Sequence, residues 1–221
     1  MILEADNIEL NFEGRRILNG IYLKAEIGKV TGILGRNGSG KTCLLRIIFG
    51  DLMAKYKNIR IDGQYQSGHL FRTHTTSYLP QHQLLPGDLQ IEKAFSWFNV
   101  SWQTFTALFE TFKTYSNTRV NELSSGEIRI IETYLILMTD KKIILLDEPF
   151  SFIAPIYIEK FKQLISAIKK NALIIITDHF YRDILEVSDN VYFLKNGNSK
   201  PIRSKKDLES EGYLNSSSEE R

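Results

Sequence analysis

The sequence predicts an α/β fold with a mostly parallel sheet, an N-terminal antiparallel β part and a small inserted helical subdomain. Three observations lead to this prediction. A glycine-rich stretch at 35–42 lies between an apolar strand pattern and an apolar helix pattern. Residues 143–146 are four consecutive apolar residues, which is typical of a strand buried on both faces. Between these two stretches, residues 88–117 have aromatic residues at helical spacing.

Length and composition limit the possibilities further. The 221 residues are enough for one α/β domain with a small lobe, and the single cysteine excludes an internal disulfide. The formal charge of +2 predicts no strong attraction to nucleic acid or to a membrane surface, so no direct nucleic-acid partner is expected. The acidic start is unlike a signal peptide, and no apolar run approaches ~20 residues. We therefore expect a cytosolic chain that serves a membrane only through another chain.

The N-terminal part is predicted to be β-structure. Residues 2–27 alternate apolar and polar side chains on either side of a Glu13-Gly14 turn. A short strand at 58–61 ends at an Asp-Gly turn, and a strand at 77–79 is stopped by Pro80.

The inserted helical subdomain is predicted at about 84–140. A first helix has Ile91 and Phe95 on its apolar face, and Asp88 is its predicted N-cap. A second helix is predicted to begin at Ser101. Trp97 falls off the aromatic stripe of these helices. It is therefore expected either to contact a partner or to pack against the sheet part, and the two alternatives have about even odds.

The α/β pattern then returns to the end of the domain. A helix is predicted at 128–138, a buried strand at 142–146, a helix that begins at Pro155, and strands at 172–176 and 191–194. Alternating strands and helices favour a parallel sheet with helices on its faces. We predict one domain over residues 1–205 and a frayed polar tail at 206–221.

The glycine-rich stretch is a G-x-x-x-x-G-K-T phosphate-binding loop, which predicts a P-loop NTPase. Such a loop points backbone N–H groups at phosphates, Lys41 reaches the β- and γ-phosphates, and the Thr42 hydroxyl holds Mg²⁺. An ordinary glycine turn before a core helix is the much weaker alternative. The predicted nucleotide-binding residues of the loop are Gly35, Arg36, Asn37, Gly38, Ser39, Gly40, Lys41 and Thr42. Cys43 follows in the first helical turn, where a helix start can lower the pKa of a thiol; an inert buried thiol is at least as good an interpretation.

Two acidic residues follow the apolar strand at 143–146. Asp147 emerges at its carboxyl end, where it can orient Mg²⁺ or its water. Glu148 comes next and is positioned to act as a general base against the γ-phosphate. Without a phosphate loop earlier in the chain, a surface Asp-Glu turn would be the common interpretation.

Two weaker signals complete the set. Leu123-Ser124-Ser125-Gly126-Glu127 precedes a helix whose start favours an anion, although a capping box alone explains this pentapeptide better. His179 follows the strand at 172–176 and can donate to a γ-phosphate, but a lone histidine is weak evidence.

In this order, the motifs resemble the ATP-binding cassette (ABC) ATPase family over roughly residues 3–200. The resemblance implies ATP and Mg²⁺ as cofactors, with Thr42, Gln81 and Asp147 at the metal. It implies that Phe12 stacks on adenine, that Gln81 contacts the attacking water, that Glu148 is the catalytic base and that His179 is a switch histidine. It also implies that Ser124, Ser125, Gly126 and Glu127 bind the ATP held by a facing subunit.

The resemblance also implies partners. The family works as a pair of cassettes, so a homodimer or a partner cassette is expected, together with a separate membrane-spanning permease. The chain would then be cytoplasmic and peripheral to the inner face of the membrane, and it would hydrolyse ATP to power transport. Residues 147–150 are similar to those of lipopolysaccharide-export and branched-chain amino-acid transport ATPases.

Two departures from the family pattern keep alternatives open. The family's signature sequence, matched here by residues 124–127, usually has two glycines, and Ser125 replaces the first of them. Ala154 replaces a family aspartate that helps couple the two ATP sites. The alternatives are a soluble ABC ATPase of a non-transport machine, or a nucleotide-sensing interaction module that barely hydrolyses ATP.

Overall fold

The computed structural model describes residues 1–214, which form ten strands and seven α-helices. The strands are β1 (Ile2–Phe12), β2 (Arg15–Glu26), β3 (Val30–Leu34), β4 (Tyr56–Ile61), β5 (Gln64–Tyr65), β6 (Thr76–Leu79), β7 (Ile143–Asp147), β8 (Leu173–Thr177), β9 (Asn190–Lys195) and β10 (Asn198–Ile202). The helices are α1 (Lys41–Phe49), α2 (Ile91–Trp97), α3 (Trp102–Leu108), α4 (Ser125–Leu137), α5 (Pro155–Ile168), α6 (Tyr181–Val187) and α7 (Lys205–Ser210).

The strands form two sheets, and the predicted α/β fold is confirmed. An antiparallel sheet has the order β2-β1-β4-β5. A six-stranded sheet has the order β10-β9-β3-β8-β7-β6, in which all neighbours are parallel except the β10–β9 pair. The carboxyl ends of β3, β7 and β8 therefore meet at one edge, where α/β sheets bind ligands.

The central strands are buried on both faces, as their apolar runs predict. Alternate side chains of β7 enter different apolar clusters. Ile144 and Leu146 belong to the cluster that includes α2, α3 and α4, whereas Ile143 and Leu145 belong to the cluster that includes α1 and the antiparallel sheet. Every residue of β3, β7 and β8 is buried. The side chains that follow these strands thus emerge from a rigid support.

Helices α2, α3 and α4 lie between β6 and β7 in the chain and share an aromatic core. The ring centroid of Phe105 is 4.9 Å from that of Phe95, 5.0 Å from that of Phe109 and 4.9 Å from that of Tyr134. Helix α3, predicted to begin at Ser101, begins at Trp102, and Ser101 is its N-cap, because the Ser101 side chain accepts a hydrogen bond from the Thr104 amide.

The predicted N-cap at Asp88 is wrong, because α2 begins at Ile91 and its N-cap is Gln90. Backbone pairing explains the later start. Gln90 forms an antiparallel bridge with Arg119, and the Val120 amide donates to the Leu89 carbonyl at 3.0 Å. These bonds hold the chain before Ile91 extended, so a helix cannot start earlier.

The prediction that the chain frays after Lys205 is wrong for the part up to residue 214. Helix α7 opens with a capping box between Ser204 and Asp207, and Leu208 and Leu214 are buried in the core. Leu208 and Leu214 are isolated apolar residues in a polar segment and form no periodic pattern, so the sequence did not reveal that this segment packs on the core. The rest of the predicted tail, including Ser216–Ser218, lies outside the described residues. No helix within residues 1–214 combines the length and apolarity that crossing a membrane requires.

Candidate functional site

The phosphate loop joins β3 to α1, between a strand end and a helix start. Gly38 and Gly40 have φ of 76° and 98°, a region that favours glycine. A Cβ at Gly40 would lie 2.7 Å from Leu18 Cδ2, so the close approach of the loop to β2 also requires glycine there. The glycines at these two positions therefore allow the loop its backbone conformation and its close approach to β2.

Two side chains of the loop, Lys41 and Ser39, are buried donors that could bind an anion. Lys41 is only 6% exposed, and its Nζ donates to the Gly35 carbonyl at 2.8 Å. Burial lowers the pKa of Lys41, and the nearby carboxylates of Glu148 and Asp147 oppose this shift. Within residues 1–214, the buried Ser39 Oγ has no hydrogen-bond partner. A buried hydroxyl without a partner and a buried cation fit a ligand with several phosphate oxygens.

A cavity of about 610 Å³ opens beside the loop, which is within the usual range for a nucleotide-sized ligand. Its walls carry the cations Arg15, Arg16 and Arg36. The Arg36 guanidinium donates to the Gly212 carbonyl at 2.9 Å, so the segment after α7 forms part of the wall. The sequence motifs do not predict this contribution. Phe12 ends β1 and is 46% exposed, which leaves its ring face available to stack.

Asp147 ends β7 with its side chain fully buried beside α1. It accepts hydrogen bonds from Thr177 Oγ1 at 2.6 Å and from Tyr78 Oη at 3.2 Å, and also from the Thr42 hydroxyl. Burial raises the pKa of Asp147, while these bonds act in the opposite direction. The structure thus brings together Thr42 and Asp147, two of the three residues expected at Mg²⁺, whereas the third, Gln81, contacts Glu148 Oε2. It adds Thr177 and Tyr78, for which the sequence offered no motif.

Three of the predicted catalytic residues meet at the Glu148 carboxylate. Its Oε2 lies 3.1 Å from Gln81 Nε2 and 3.7 Å from His179 Nδ1. The Glu148 backbone is left-handed, with φ of 53°, which is uncommon for a residue other than glycine. Its amide donates to the Thr177 carbonyl at 2.9 Å, so β8 helps to hold this conformation.

Asp178 is a second buried carboxylate that the motifs do not predict. It accepts hydrogen bonds from the amides of Phe150, His179 and Phe180, and its Oδ1 lies 3.3 Å from His179 Nδ1. Burial raises the pKa of Asp178. The side chain ties the loop after β7 to the loop after β8, and a carboxylate at a buried strand end was the signal that could have revealed it.

The predicted signature residues lie at the start of α4 and form a capping box. Ser124 Oγ accepts from the Glu127 amide at 3.3 Å, and Glu127 Oε2 accepts from the Ser124 amide at 2.9 Å. A Cβ on Gly126 would lie 2.5 Å from the Phe152 carbonyl oxygen. Ser124 and Ser125 are exposed. Across the part of the chain that the structure describes, no hydrogen bond from residues 124–127 reaches the phosphate loop.

Two further expectations are decided by burial. Cys43 is half-buried, and burial raises the pKa of its thiol, so the expected lowering by the helix start is wrong. Desolvation outweighs the opposing effects of Arg46 and of a backbone hydrogen bond on the pKa of this thiol. Trp97 is 67% exposed, so the alternative in which it packs against the sheet part is wrong.

Comparisons with known proteins agree with this arrangement. Residues 18–151 match the family described as ABC transporter. The lipopolysaccharide export system ATP-binding protein LptB of Haemophilus influenzae is 30% identical over 215 residues, which cover 89% of this chain and 88% of that protein. The ATP-binding subunit of an ABC transporter has a similar fold, with a TM-score of 0.80 at 18% identity and coverage of 96% of this chain and 94% of that chain. A bacterial Atm1-family ABC exporter with ATP bound gives 0.82 at 21% identity, covering 95% of this chain and 40% of the exporter.

Proposed function

Because the chain belongs to the ABC transporter family, whose ATP-binding subunits are ATPases, we propose that it powers a membrane transporter through ATP-dependent dimerisation. The observation that supports this proposal most is the convergence of Gln81 and His179 on Glu148, next to the buried Asp147 and the phosphate loop. Each of these groups has a role in hydrolysing a nucleoside triphosphate.

ATP binding is assigned to the loop at 35–42 and to Phe12. The loop amides and the start of α1 favour the phosphate charge, and Lys41 supplies a fixed cation. Ser39 Oγ would gain the hydrogen-bond partner that it lacks. Phe12 would stack on adenine with the exposed face of its ring.

Mg²⁺ would be held by oxygen atoms of Thr42, Asp147 and Gln81, and oxygen is the ligand atom that this ion prefers. The bound ion neutralises charge on the β- and γ-phosphates. The hydrogen bonds from Thr177 and Tyr78 orient the Asp147 carboxylate, so it does not have to be ordered when the metal binds.

Glu148 is assigned as the general base that accepts a proton from the attacking water. Gln81 Nε2 and His179 Nδ1 lie 3.1 Å and 3.7 Å from the same carboxylate oxygen, where they can orient water and contact the γ-phosphate. Residues 124–127 are assigned to the ATP bound by a second cassette, and a homodimer is the simplest arrangement. The exposure of Ser124 and Ser125 supports this assignment, as does the finding that, within residues 1–214, no hydrogen bond joins residues 124–127 to the phosphate loop.

The membrane partner is proposed to dock at Trp97. This side chain lines a cavity of about 510 Å³ between the helical lobe and β6, together with Tyr78, Leu84 and Met138. An exposed tryptophan beside an apolar cavity is typical of an interaction hot spot. The likeness to LptB, a lipopolysaccharide export protein, supports a transporter as the partner and a position at the inner face of the membrane.

Co-purification from membranes tests the proposal. The wild-type chain should bring down a multi-helix membrane subunit, and Trp97→Ala should lose it while keeping MgATP turnover. Tyr65→Ala is the matched control, because Tyr65 is 60% exposed but lies on β5 in the antiparallel sheet. Capture of only non-membrane proteins would favour the non-transport machine. MgATP binding without turnover would favour the sensing module that Ser125 and Ala154 suggest.

A further inference from the structure

Helix α4 carries a buried ion pair just after the signature residues. Arg129 is 5% exposed and Glu132 is 1% exposed, and Arg129 Nη1 lies 3.9 Å from Glu132 Oε2. Burial lowers the pKa of Arg129 and raises that of Glu132. Removing two charges from water is expensive, and an apolar pair would often stabilise a core as well. The contacts that these charges make therefore need a reason other than stability.

Arg129 binds the backbone at two different functional segments. Its Nη1 donates to the carbonyl of Pro80, the residue before Gln81, at 2.7 Å. Its Nη2 donates to the Asp147 carbonyl, and to the Glu148 carbonyl at 3.0 Å. Its Nε donates to the Glu148 carbonyl at 3.2 Å. One guanidinium thus joins α4 to the backbone of both the glutamine and the catalytic carboxylate.

Glu132 binds the other end of the segment that contains Gln81. Its Oε1 accepts hydrogen bonds from the Leu84 amide at 2.7 Å and from the Leu85 amide at 2.9 Å. Residues 81–83 therefore span two anchors that are one helical turn apart on α4. When α4 moves relative to the sheet, both ends of this segment must move with it or break these bonds.

The Arg129 contacts also bear on the orientation of Glu148. The left-handed backbone of Glu148 is costly, and such a conformation persists only when its surroundings hold it. Thr177 holds the amide of this residue and Arg129 holds its carbonyl. The side chain then reaches Gln81 Nε2 from a fixed backbone.

We propose that Arg129 and Glu132 are positioning residues that link the signature helix to Gln81 and Glu148. A partner that contacts residues 124–127 would then act on the helix whose next turn aligns the catalytic carboxylate and the glutamine. The inference rests on the roles that the proposed function gives to Gln81 and Glu148. Neither Arg129 nor Glu132 contacts the phosphate loop by a hydrogen bond within residues 1–214, so both act on turnover and not on ATP binding.

The test compares kcat with ATP affinity in Arg129→Lys and Glu132→Gln. Lysine at position 129 keeps the positive charge but cannot donate to several backbone carbonyls at once, as the guanidinium does. Glutamine at position 132 keeps an acceptor oxygen but loses the negative charge that pairs with Arg129. We expect kcat to fall about tenfold to a hundredfold in Arg129→Lys, and about threefold to tenfold in Glu132→Gln. The Kd for MgATP should stay within about twofold of the wild type. Ile131→Ala is the control, since it should lower stability at a buried α4 position whose apolar side chain forms no hydrogen bond to either segment.

The losses of kcat in double variants that also carry Gln81→Ala distinguish a positioning role from a general loss of stability. Glu132 also pairs with Arg129, but both of its hydrogen bonds are to the segment next to Gln81, and the neutral amide of glutamine would weaken both of them. Glu132→Gln should therefore add less than twofold to the loss of kcat in a Gln81→Ala background. Arg129→Lys should keep part of its effect there, since it also binds Glu148. Wild-type kcat in both single variants, or a full additive effect of Glu132→Gln on Gln81→Ala, would overturn the inference. If Arg129→Lys fails to fold, Glu132→Gln alone decides.

Two reference variants distinguish this inference from the proposed function. Gln81→Ala and Glu148→Gln are measured beside the α4 variants. Wild-type turnover in either one would overturn the proposed site and the inference with it. Loss of turnover in both, with unchanged kcat in Arg129→Lys and Glu132→Gln, would overturn the inference alone.

Discussion

The phosphate-loop end of the molecule and its signature end are built differently. Around the phosphate loop, Lys41 is buried and donates to a carbonyl of the loop itself, and Asp147 is buried and accepts hydrogen bonds from β8 and β6. Ser39 Oγ still lacks a partner within residues 1–214. At the signature, Ser124 and Glu127 bond each other in a capping box and remain accessible. One region is organised for a ligand within the chain, and the other is satisfied locally on an open surface.

Under the proposed function, this difference means that a single chain presents two unequal halves of a nucleotide site. The phosphate-loop half contains the buried Lys41 and Asp147 together with Glu148, the proposed base, so we expect it to bind ATP alone. The signature half contributes exposed hydroxyls and a helix start, which can act only when another molecule brings phosphate to them. Variants in the two halves should therefore separate binding from turnover.

The largest effect is expected in the phosphate-loop half. Lys41→Ala should abolish MgATP binding, because it removes the buried cation that the phosphate charge needs. Isothermal titration calorimetry measures this directly. Lys29→Ala, which removes a lysine that is paired with Glu26 at the surface, should bind as the wild type does. Equal affinities for all three proteins would refute the phosphate-loop assignment.

Glu148→Gln should retain MgATP binding and lose about 10²–10⁴ in steady-state turnover, because the amide fills the same space but cannot accept a proton. The matched control is Glu159→Gln, which changes an exposed carboxylate of α5 that pairs with Lys162. Phosphate release at the wild-type rate in Glu148→Gln would remove this residue from the mechanism.

Gly126→Ala should perturb the signature half alone. The added Cβ would meet the Phe152 carbonyl oxygen at 2.5 Å, so the start of α4 must shift. We expect turnover to fall about tenfold or more with little change in ATP affinity, since misplacement by an ångström can cost that much. Gly87→Ala is the control, because its Cβ would have an ordinary contact at 3.4 Å. Loss of ATP affinity in Gly126→Ala would mean that the two halves are not separate.

Ala154→Asp should sharpen the comparison by coupling two sites. Ala154 is the N-cap of α5 and makes no side-chain capping bond, so Asp should also stabilise the helix by about 0.5–2 kcal/mol. Ala154→Ser supplies the cap without the charge. We expect both variants to melt at a higher temperature, but only Ala154→Asp to raise the Hill coefficient for ATP. The same Hill coefficient in both would assign coupling to other contacts.

The smallest effect concerns Cys43, at the first turn of α1. Because burial raises the pKa of its thiol, the reactive thiolate is scarcer at pH 7 than in an exposed cysteine. Iodoacetamide labelling should be slower than that of a free thiol, should rise with pH, and should slow further with MgATP. Faster labelling than a free thiol at pH 7 would show that the helix start dominates after all.

The sequence predicts the fold well, because the strands and the phosphate loop depend on local patterns. Apolar runs identify β3, β7 and β8, and the phosphate loop is recognised from the order of its own consecutive residues. The helix cap at Gln90 depends instead on pairing with Arg119, which is distant in sequence. Local periodicity cannot reveal such a partner.

The supporting residues of the site were missed for the same reason. Thr177 and Asp178 gain their roles from β7 and its following loop, and Arg129 gains its role from Pro80 and Glu148. An Arg and a Glu three positions apart in an otherwise apolar helix do indicate a buried pair. What that pair binds is a property of the folded chain.

The mass of Glu148→Gln in solution with MgATP tests the central claim most directly, namely that the two halves of a site meet only between chains. Light scattering after size exclusion should give a dimer with MgATP and a monomer without it. Glu148→Gln combined with Gly126→Ala should bind MgATP and remain a monomer. A monomer in both proteins with MgATP bound, or a dimer that forms regardless of Gly126 and of nucleotide, would contradict the account.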